Sequence, residues 1–95
     1  MLSFTVRMRF NPDDRQEIEA LLLQLTPASR QEPGCVSYVP HWVEGEAACL
    51  LIYEQYADEA ALEAHRASPH FAIFAVNGLY QRMLDRELEH LTAIA

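Results

Sequence analysis

The sequence predicts a single α+β domain in which a four-stranded antiparallel sheet carries helices on one face. Two observations indicate this class. Strand-like alternation of apolar and polar residues opens the chain, and helix-like spacing of apolar residues then occurs twice between strand-like segments. A length of 95 residues suits one domain, and no linker, repeat or low-complexity tract divides the chain. We therefore expect residues 1–95 to form one unit.

The first strand and the first helix follow from a change in the spacing of apolar side chains. The strand has an apolar residue at every second position: Leu2, Phe4, Val6, Met8 and Phe10. Asn11-Pro12 then supplies an N-cap and a proline at the first helical position. The apolar face of the helix consists of Ile18, Leu21, Leu22 and Leu25. Pro27 should kink or end this helix, unless residues 28–31 form a second short turn.

Two further strands flank a glycine-containing turn in the middle of the chain. The segment Glu32-Pro33-Gly34 interrupts regular structure. Residues 35–43, which follow it, are rich in strand-forming Val, Tyr and Trp. Pro40 cannot donate a hydrogen bond to a neighbouring strand, so we expect an edge position or a bulge there. A turn at residues 44–46 leads into a strand over residues 48–56.

The two cysteines are predicted to be free. A tight hairpin between these strands would place Cys35 near Glu54 and away from Cys49, which argues against a disulfide. Two thiols without a CxxC spacing are typical of a reduced cytosolic protein. No signal peptide or membrane-spanning stretch is recognisable. We therefore expect a cytoplasmic location.

The last third of the chain predicts a second helical region and a fourth strand. Asp58 is positioned as an N-cap, and Ser68-Pro69 reads as a fresh cap followed by a first helical residue. The helix that begins there should run to about Leu84. Residues 86–93 then alternate as a strand does. The element order is β-α-β-β-α-β, the ferredoxin-like arrangement.

Composition suggests a self-associating protein and excludes several classes of function. Apolar residues make up 51% of this short chain, and the sheet face opposite the helices needs a cover, so we expect a homodimer. The net charge of −7 argues against binding to nucleic acids or anionic membranes. Because the chain has no lysine, Schiff-base chemistry and a P-loop are excluded. Three scattered glycines form neither a dinucleotide-binding nor a hydrolase motif.

Two stretches of the chain carry a recognisable combination of residues. The first is Arg30-Gln31-Glu32-Pro33-Gly34-Cys35 followed by Tyr38, and the second is Tyr53-Glu54-Gln55-Tyr56 followed by Asp58, Leu62, His65 and Ser68-Pro69-His70-Phe71. In these stretches, and in length and element order, the chain resembles the antibiotic biosynthesis monooxygenase (ABM) domain family.

This resemblance implies a dimeric α+β barrel built from two ferredoxin-like subunits, each with a pocket between its sheet and helices. It also implies the usual chemistry of the family, the oxidation of polycyclic phenols or quinols by O2 without metal or flavin. Some relatives instead isomerise a small phosphorylated sugar derivative, and some degrade haem. The haem-degrading branch has an asparagine inside the first strand, whereas here Asn11 lies at the strand's end. Residues 40–46 also differ from the Asp-rich turn of the family.

Two histidines are the candidate catalytic residues. His65 lies three residues after Leu62, on the inward side of its helix, and its imidazole could act as a general base oriented by Glu54. His70 lies at a helix start, where the helix dipole favours the neutral imidazole. Alternatively, His65 is a hydrogen-bonded core residue and His70 a surface residue or cap. We predict no metal and no cofactor, because the histidine spacing matches no tight ligand motif.

Six residues are candidates for contact with a small-molecule substrate. They are Tyr38, His41, Tyr53, Glu54, Phe71 and Phe74. Tyr38 and Tyr53 lie on neighbouring strands and could donate hydrogen bonds to a phenol or quinone oxygen. The aromatic residues at these spacings are also compatible with an ordinary core.

Three functions are compatible with these residues. The first is a cofactor-independent monooxygenase that acts on a phenol or quinol. The second is an isomerase or catabolic enzyme for a small carbonyl compound, which would need Arg7, Arg9 or Arg66 near the pocket to bind an anionic group. The third is a dimer that binds a small ligand without catalysis.

Overall fold

A computed structural model describes all 95 residues and has the predicted ferredoxin-like α+β fold. The elements are β1 (Leu2–Arg9), α1 (Arg15–Arg30, after a 3-10 turn at Pro12–Asp14), β2 (Cys35–Trp42), β3 (Cys49–Tyr56), α2 (Glu59–Arg66), α3 (residues 69–82) and β4 (Asp85–Leu91). The four strands pair antiparallel in the order β2-β3-β1-β4. No helix is both long enough and apolar enough to cross a membrane.

The core lies between the helices and one face of the sheet. Phe4, Val6 and Met8 of β1 are buried there, as the alternation predicts. Because directly paired residues of antiparallel strands share a face, the register places Glu54 opposite Phe4 and Ile52 opposite Val6 on this helix-covered side. Glu54 is therefore a carboxylate that points into an apolar core.

The predicted helix caps are confirmed, but α1 does not end at Pro27. The side chain of Asn11 accepts from the amide of Asp13, and that of Asp58 accepts from the amide of Ala61 at 2.8 Å. Helix α1 continues through the proline to Arg30. The proline removes one backbone hydrogen bond, but the last turn is held by the buried Ser29 and by Arg30, which donates to the carbonyl of Tyr38.

Helix α3 differs from an ordinary α-helix over most of its length. Residues Phe71–Leu79 are π-helical, and only Tyr80–Arg82 return to α-helical geometry. The helix ends two residues before the predicted Leu84, and β4 begins one residue early, at Asp85. π-Helical turns are rare in proteins. Where they occur, they often lie near functional sites.

Strand β2 lies at the edge of the sheet, which confirms the expectation based on Pro40. The irregularity in this strand falls between Cys35 and Ser37 and does not involve the proline. The hairpin is also less tight than predicted, because Tyr38 pairs with Glu54, and Cys35 pairs with Tyr56, two positions beyond the predicted Glu54. Both cysteines are free.

Two serines with opposite surroundings allow a matched stability test. Ser29 is fully buried in α1 and its hydroxyl has no hydrogen-bond partner. The hydroxyl of Ser68 donates to the carbonyl of His65 and accepts from the amide of Phe71. An unsatisfied buried hydroxyl is unfavourable, whereas a satisfied N-cap is stabilising. We expect Ser29→Ala to raise the free energy of unfolding by about 1 kcal/mol and Ser68→Ala to lower it by about 1 kcal/mol.

Urea unfolding of both variants checks this pair of predictions. The two substitutions remove the same atom, one inside α1 and one at the cap position before α3, so each is the control for the other. A loss of stability in Ser29→Ala would show that its hydroxyl has a partner in solution.

Candidate active site

Three side chains from separate parts of the chain meet at one end of the sheet. The Nδ1–H of His65, in α2, donates to Glu32 Oε2 at 2.9 Å. His70, at the start of α3, contacts the same carboxylate oxygen through Nε2. Glu32 lies in the turn before β2. One carboxylate therefore holds two imidazoles, and the sequence-predicted pair His65 and His70 is brought together by a residue that the sequence did not mark as functional.

Close packing between the turn and α2 fixes this cluster. A Cβ on Gly34 would collide with the Cβ of Ala61, so only glycine allows the turn to approach the helix this closely. The carbonyl of Gly34 also accepts from the amide of Ala57 at 2.9 Å. The turn that carries Glu32 is thereby held against the helix that carries His65.

Glu54 completes the site on the other side of His65. Its carboxylate Oε1 accepts from the hydroxyl of Tyr56 at 2.7 Å and lies 3.7 Å from His65 Nε2. Glu54 is only 5% exposed. Burial raises its pKa to about 7, although Tyr56 and two arginines act in the opposite direction. A carboxyl group with this pKa changes charge near neutral pH.

The surroundings of His65 favour its neutral form with a free lone pair on Nε2. Its side chain is 3% exposed, and burial lowers the pKa despite the hydrogen bond from Nδ1 to Glu32. Because that hydrogen bond requires the proton on Nδ1, Nε2 is the unprotonated nitrogen, and it faces Glu54. This orientation by a carboxylate is the arrangement in which an imidazole accepts a proton.

Aromatic rings surround His65 and limit the access of water. The ring centroids of Tyr56 and Phe71 lie 5.1 Å from that of His65, and the centroid of Tyr38 lies at 5.9 Å. Burial raises the pKa of Tyr38 and of Tyr56, so both phenols stay neutral and can donate hydrogen bonds. The predicted residues Tyr38, Glu54 and Phe71 thus lie around the predicted base.

A small cavity of about 40 Å³ opens onto this site. Its floor includes Glu54 and His65, and its remaining walls are Phe4, Val6, Leu62, Arg66, Phe71, Tyr80, Arg86 and Leu88. A water molecule occupies about 30 Å³ in the liquid. The cavity therefore accepts a group of a few atoms unless Phe71 or Tyr80 moves.

A much larger cavity, about 550 Å³, lies elsewhere. It is an open groove between α1 and the edge strand β2, and Trp42 and His41 line it together with apolar residues. It contains none of the clustered histidines or carboxylates. Only the smaller of these two cavities combines an imidazole with a site shielded from water, the two features that proton abstraction requires.

Three predicted site residues lie apart from the cluster. His41 is exposed on the edge strand and contacts the carbonyl of Leu51 through Nδ1 at 3.3 Å. Tyr53 lies between two inward-facing residues of β3 and therefore points to the opposite face of the sheet from Tyr38. One ligand cannot touch both of these tyrosines. Phe74 packs against the core without lining the small cavity.

Sequence reasoning missed several members of the site. Tyr56 follows Glu54 by two residues on a strand, so the period of two could have placed both on the same face. Glu32 lies in the first family-like stretch, but no role was assigned to it. Tyr80 and Arg86 gave no signal, and all three reach the site only through packing of separate elements.

The cluster also has the composition of a metal site. One oxygen of Glu32 and one nitrogen each of His65 and His70 lie within 4.8 Å of one another. Two imidazoles and a carboxylate are suitable ligands for a divalent ion such as Zn²⁺. The same atoms are satisfied by hydrogen bonds among themselves, so their arrangement does not require an ion.

Comparison with known proteins identifies the family of this chain. The model of the family described as antibiotic biosynthesis monooxygenase matches residues 1–76. The chain belongs to this ABM family. Among solved structures, the ABM chain is similar to PA3566 from Pseudomonas aeruginosa, with a TM-score of 0.89, 28% identity and coverage of 99% of this chain and 94% of that one. The structure of Rv0793 from Mycobacterium tuberculosis gives a TM-score of 0.87, 25% identity and coverage of 99% and 95%.

Two curated relatives of this ABM chain are longer than the matched region. An uncharacterized protein of Synechocystis sp. is 36% identical over 67 residues, which are 70% of this chain and 46% of that protein. The Mycobacterium tuberculosis protein, whose name is "Putative monooxygenase Rv0793", is 37% identical over 60 residues, which are 63% of this chain and 58% of its own length. The chain therefore spans about half the length of these curated relatives.

Proposed function

We propose that this ABM protein is a cofactor-independent monooxygenase that oxidises a small phenol or quinol with O2. The observation that carries the proposal is the buried His65, oriented by Glu32 through Nδ1 and presenting Nε2 toward Glu54 at the floor of an aromatic cavity. The family match and a relative named as a monooxygenase support the reaction class.

The proposed reaction needs no external reductant. His65 Nε2 removes the phenolic proton, and Glu32 and Glu54 stabilise the imidazolium that forms. The electron-rich phenolate reduces O2 by one electron, and the radicals combine to a peroxide at a ring carbon that carries hydrogen. Loss of that ring proton and of the terminal peroxide oxygen as water leaves a carbonyl. A phenol and O2 thus give a quinone and water, with one oxygen atom in each product.

We further propose that the protein acts as a cytoplasmic homodimer. The sheet face opposite the helices carries Thr5, Leu51 and Tyr53, and no part of the chain covers it. A second copy packed on this face would bury these side chains. The two free cysteines support a reducing compartment.

Oxygen consumption with His65 variants tests the proposed function. With a panel of small phenols and quinols, we expect His65→Ala and the more conservative His65→Gln to lower kcat/KM at least about 100-fold, because each removes the base. His90→Ala, on the exposed strand β4, is the matched control and should leave turnover unchanged. Labelling with ¹⁸O2 should place one labelled atom in the quinone. Unchanged turnover in both His65 variants, verified as folded by circular dichroism, would refute the assigned base.

A second candidate is an isomerase for a small carbonyl compound, and the size of the cavity favours it. A space of about 40 Å³ suits the reacting end of a small molecule better than a ring system. The same base would remove a proton next to a carbonyl and return it to another carbon, without O2. Turnover that persists under anaerobic conditions identifies this reaction. Ligand binding with no turnover in either atmosphere identifies the non-catalytic dimer.

A further inference from the structure

Two arginines at the rim of the active-site cavity have no polar partner in the protein. Arg66 is the last residue of α2, and Arg86 lies near the start of β4. Both side chains line the cavity that contains Glu54 and His65. They approach the same opening from elements that are distant in sequence, so their convergence is a property of the fold.

The other five arginines all bind acceptors within the protein. Two of them form ion pairs, Arg9 with Asp85 and Arg82 with Glu17 and Asp14. Two donate to backbone carbonyls, Arg30 to that of Tyr38 and Arg15 to that of Ala47. The fifth, Arg7, contacts Cys49 Sγ. By contrast, neither Arg66 nor Arg86 forms a hydrogen bond or an ion pair, although the chain has twice as many acidic residues as arginines, fourteen against seven. The absence of partners at these two positions leaves their donors free for a ligand.

Arg86 is nevertheless held in place. Its guanidinium lies over the ring of Tyr80, 5.1 Å from the centroid, and Tyr80 itself lines the cavity. Arg66 follows directly after the base in the sequence, so its backbone is fixed by the same helix turn. An oxyanion bound between them would compensate their positive charge without removing hydrogen bonds from the fold.

We infer that the substrate carries a carboxylate or phosphate group, which Arg66 and Arg86 bind at the rim. The other end of the substrate, which loses a proton to His65, enters the cavity. This inference rests on the proposed active site and specifies the substrate class. Guanidinium groups bind both kinds of oxyanion through paired N–H donors. The distribution of roles follows from position: arginines at the rim bind and orient, and His65 at the floor removes the proton.

Binding of simple probes tests the inference without any turnover. Benzoate and phenyl phosphate are the anionic probes, and phenol is the neutral probe, each titrated by NMR against the wild type, Arg66→Gln and Arg86→Gln. We expect each substitution to weaken anion binding at least about tenfold and to leave phenol binding unchanged, because charged hydrogen bonds contribute most of the affinity. Tighter binding of phenyl phosphate would specify a phosphorylated substrate, and tighter binding of benzoate would specify a carboxylate.

The control is Arg82→Gln, because Arg82 pairs with Glu17 and does not line the cavity. It should leave the affinity for both anions unchanged. Anions that bind no better than phenol, or anion binding that survives the loss of Arg66 and Arg86, would overturn the inference. The test stands apart from the proposed function: anion binding can depend on these arginines even if His65→Ala keeps its activity, and the reverse is also possible.

Discussion

Replacing Glu54 by glutamine is expected to lower activity about 100-fold or more while making the protein more stable above pH 7. Activity falls because the imidazolium of His65 loses the carboxylate that faces its Nε2 at 3.7 Å. In the wild type, kcat/KM should rise with pH through about 7, the pKa of Glu54, because only the ionised form stabilises the imidazolium. Glutamine at this position should remove that dependence.

The gain in stability follows from the direction of the pKa shift. The pKa of Glu54 rises from 4.5 to about 7 on folding, so the native state binds this proton more tightly than the unfolded state does. The free energy of unfolding therefore falls as pH increases from about 4.5 to about 7, by about 3 kcal/mol for this group. A glutamine oxygen still accepts the Tyr56 hydrogen bond without carrying charge. Glu54→Gln should thus lie within about 1 kcal/mol of the wild type near pH 5 and exceed it by up to about 3 kcal/mol at pH 8.

Urea unfolding at pH 5 and pH 8 measures this difference. Glu63→Gln is the matched control, because Glu63 is exposed on α2, away from the sheet face proposed for the dimer, and its neutralisation should not change the stability difference between the two pH values. If Glu54→Gln destabilises the protein equally at both pH values, ionisation of the Glu54 carboxyl group does not lower the stability of the native state. Retention of full activity would remove Glu54 from the proposed mechanism.

Replacing Gly34 by alanine should produce the largest loss of stability among the substitutions considered, about 2–3 kcal/mol. The new methyl group would collide with the Cβ of Ala61 and lie 3.2 Å from its Cα, so the turn or α2 must move. Movement there separates Glu32 from His65, whose contact measures 2.9 Å. We therefore expect loss of activity together with loss of stability.

A double-mutant cycle with Ala61→Gly isolates this collision. Ala61→Gly alone should cost about 1 kcal/mol, because glycine is a poor helix former. In combination it makes room for the Gly34→Ala methyl group, so the double variant should be more stable than the sum of the single effects by about 1–2 kcal/mol. Gly45→Ala is the control: Gly45 has a φ of +83° but no neighbour within 4 Å, so its cost should not depend on residue 61. Strict additivity of Gly34→Ala and Ala61→Gly would contradict the predicted contact.

Local signals in the sequence predicted the elements of the fold well. Alternation in β1, the caps at Asn11, Asp58 and Ser68, and the edge position of Pro40 depend on interactions within a few residues, and all appear in the structure. The errors concern competition between local and tertiary forces. Packing against the sheet carries α1 past Pro27 to Arg30, although the proline alone favours an earlier end.

The assembly of the site could be predicted only in part. The inward position of His65 follows from its spacing to Leu62, and a buried carboxylate near it follows from the strand position of Glu54. By contrast, the exposure of His41 and the placement of Tyr53 on the opposite face from Tyr38 depend on the register of the β2–β3 hairpin, in which Tyr38 pairs with Glu54 and His41 with Leu51. The predicted tight turn at residues 44–46 did not give this register.

By itself, the sequence determined the four strands, the helices and an inward imidazole at position 65, because periodicity, capping and chain breaks act over a few residues. Only the tertiary structure decided that Glu32 joins both histidines, that Glu54 faces the free nitrogen of His65, and that Arg66 and Arg86 meet at one opening. These contacts join residues that are far apart in the chain. They exist because strand register and the close packing of Gly34 on Ala61 fix how the elements fit together.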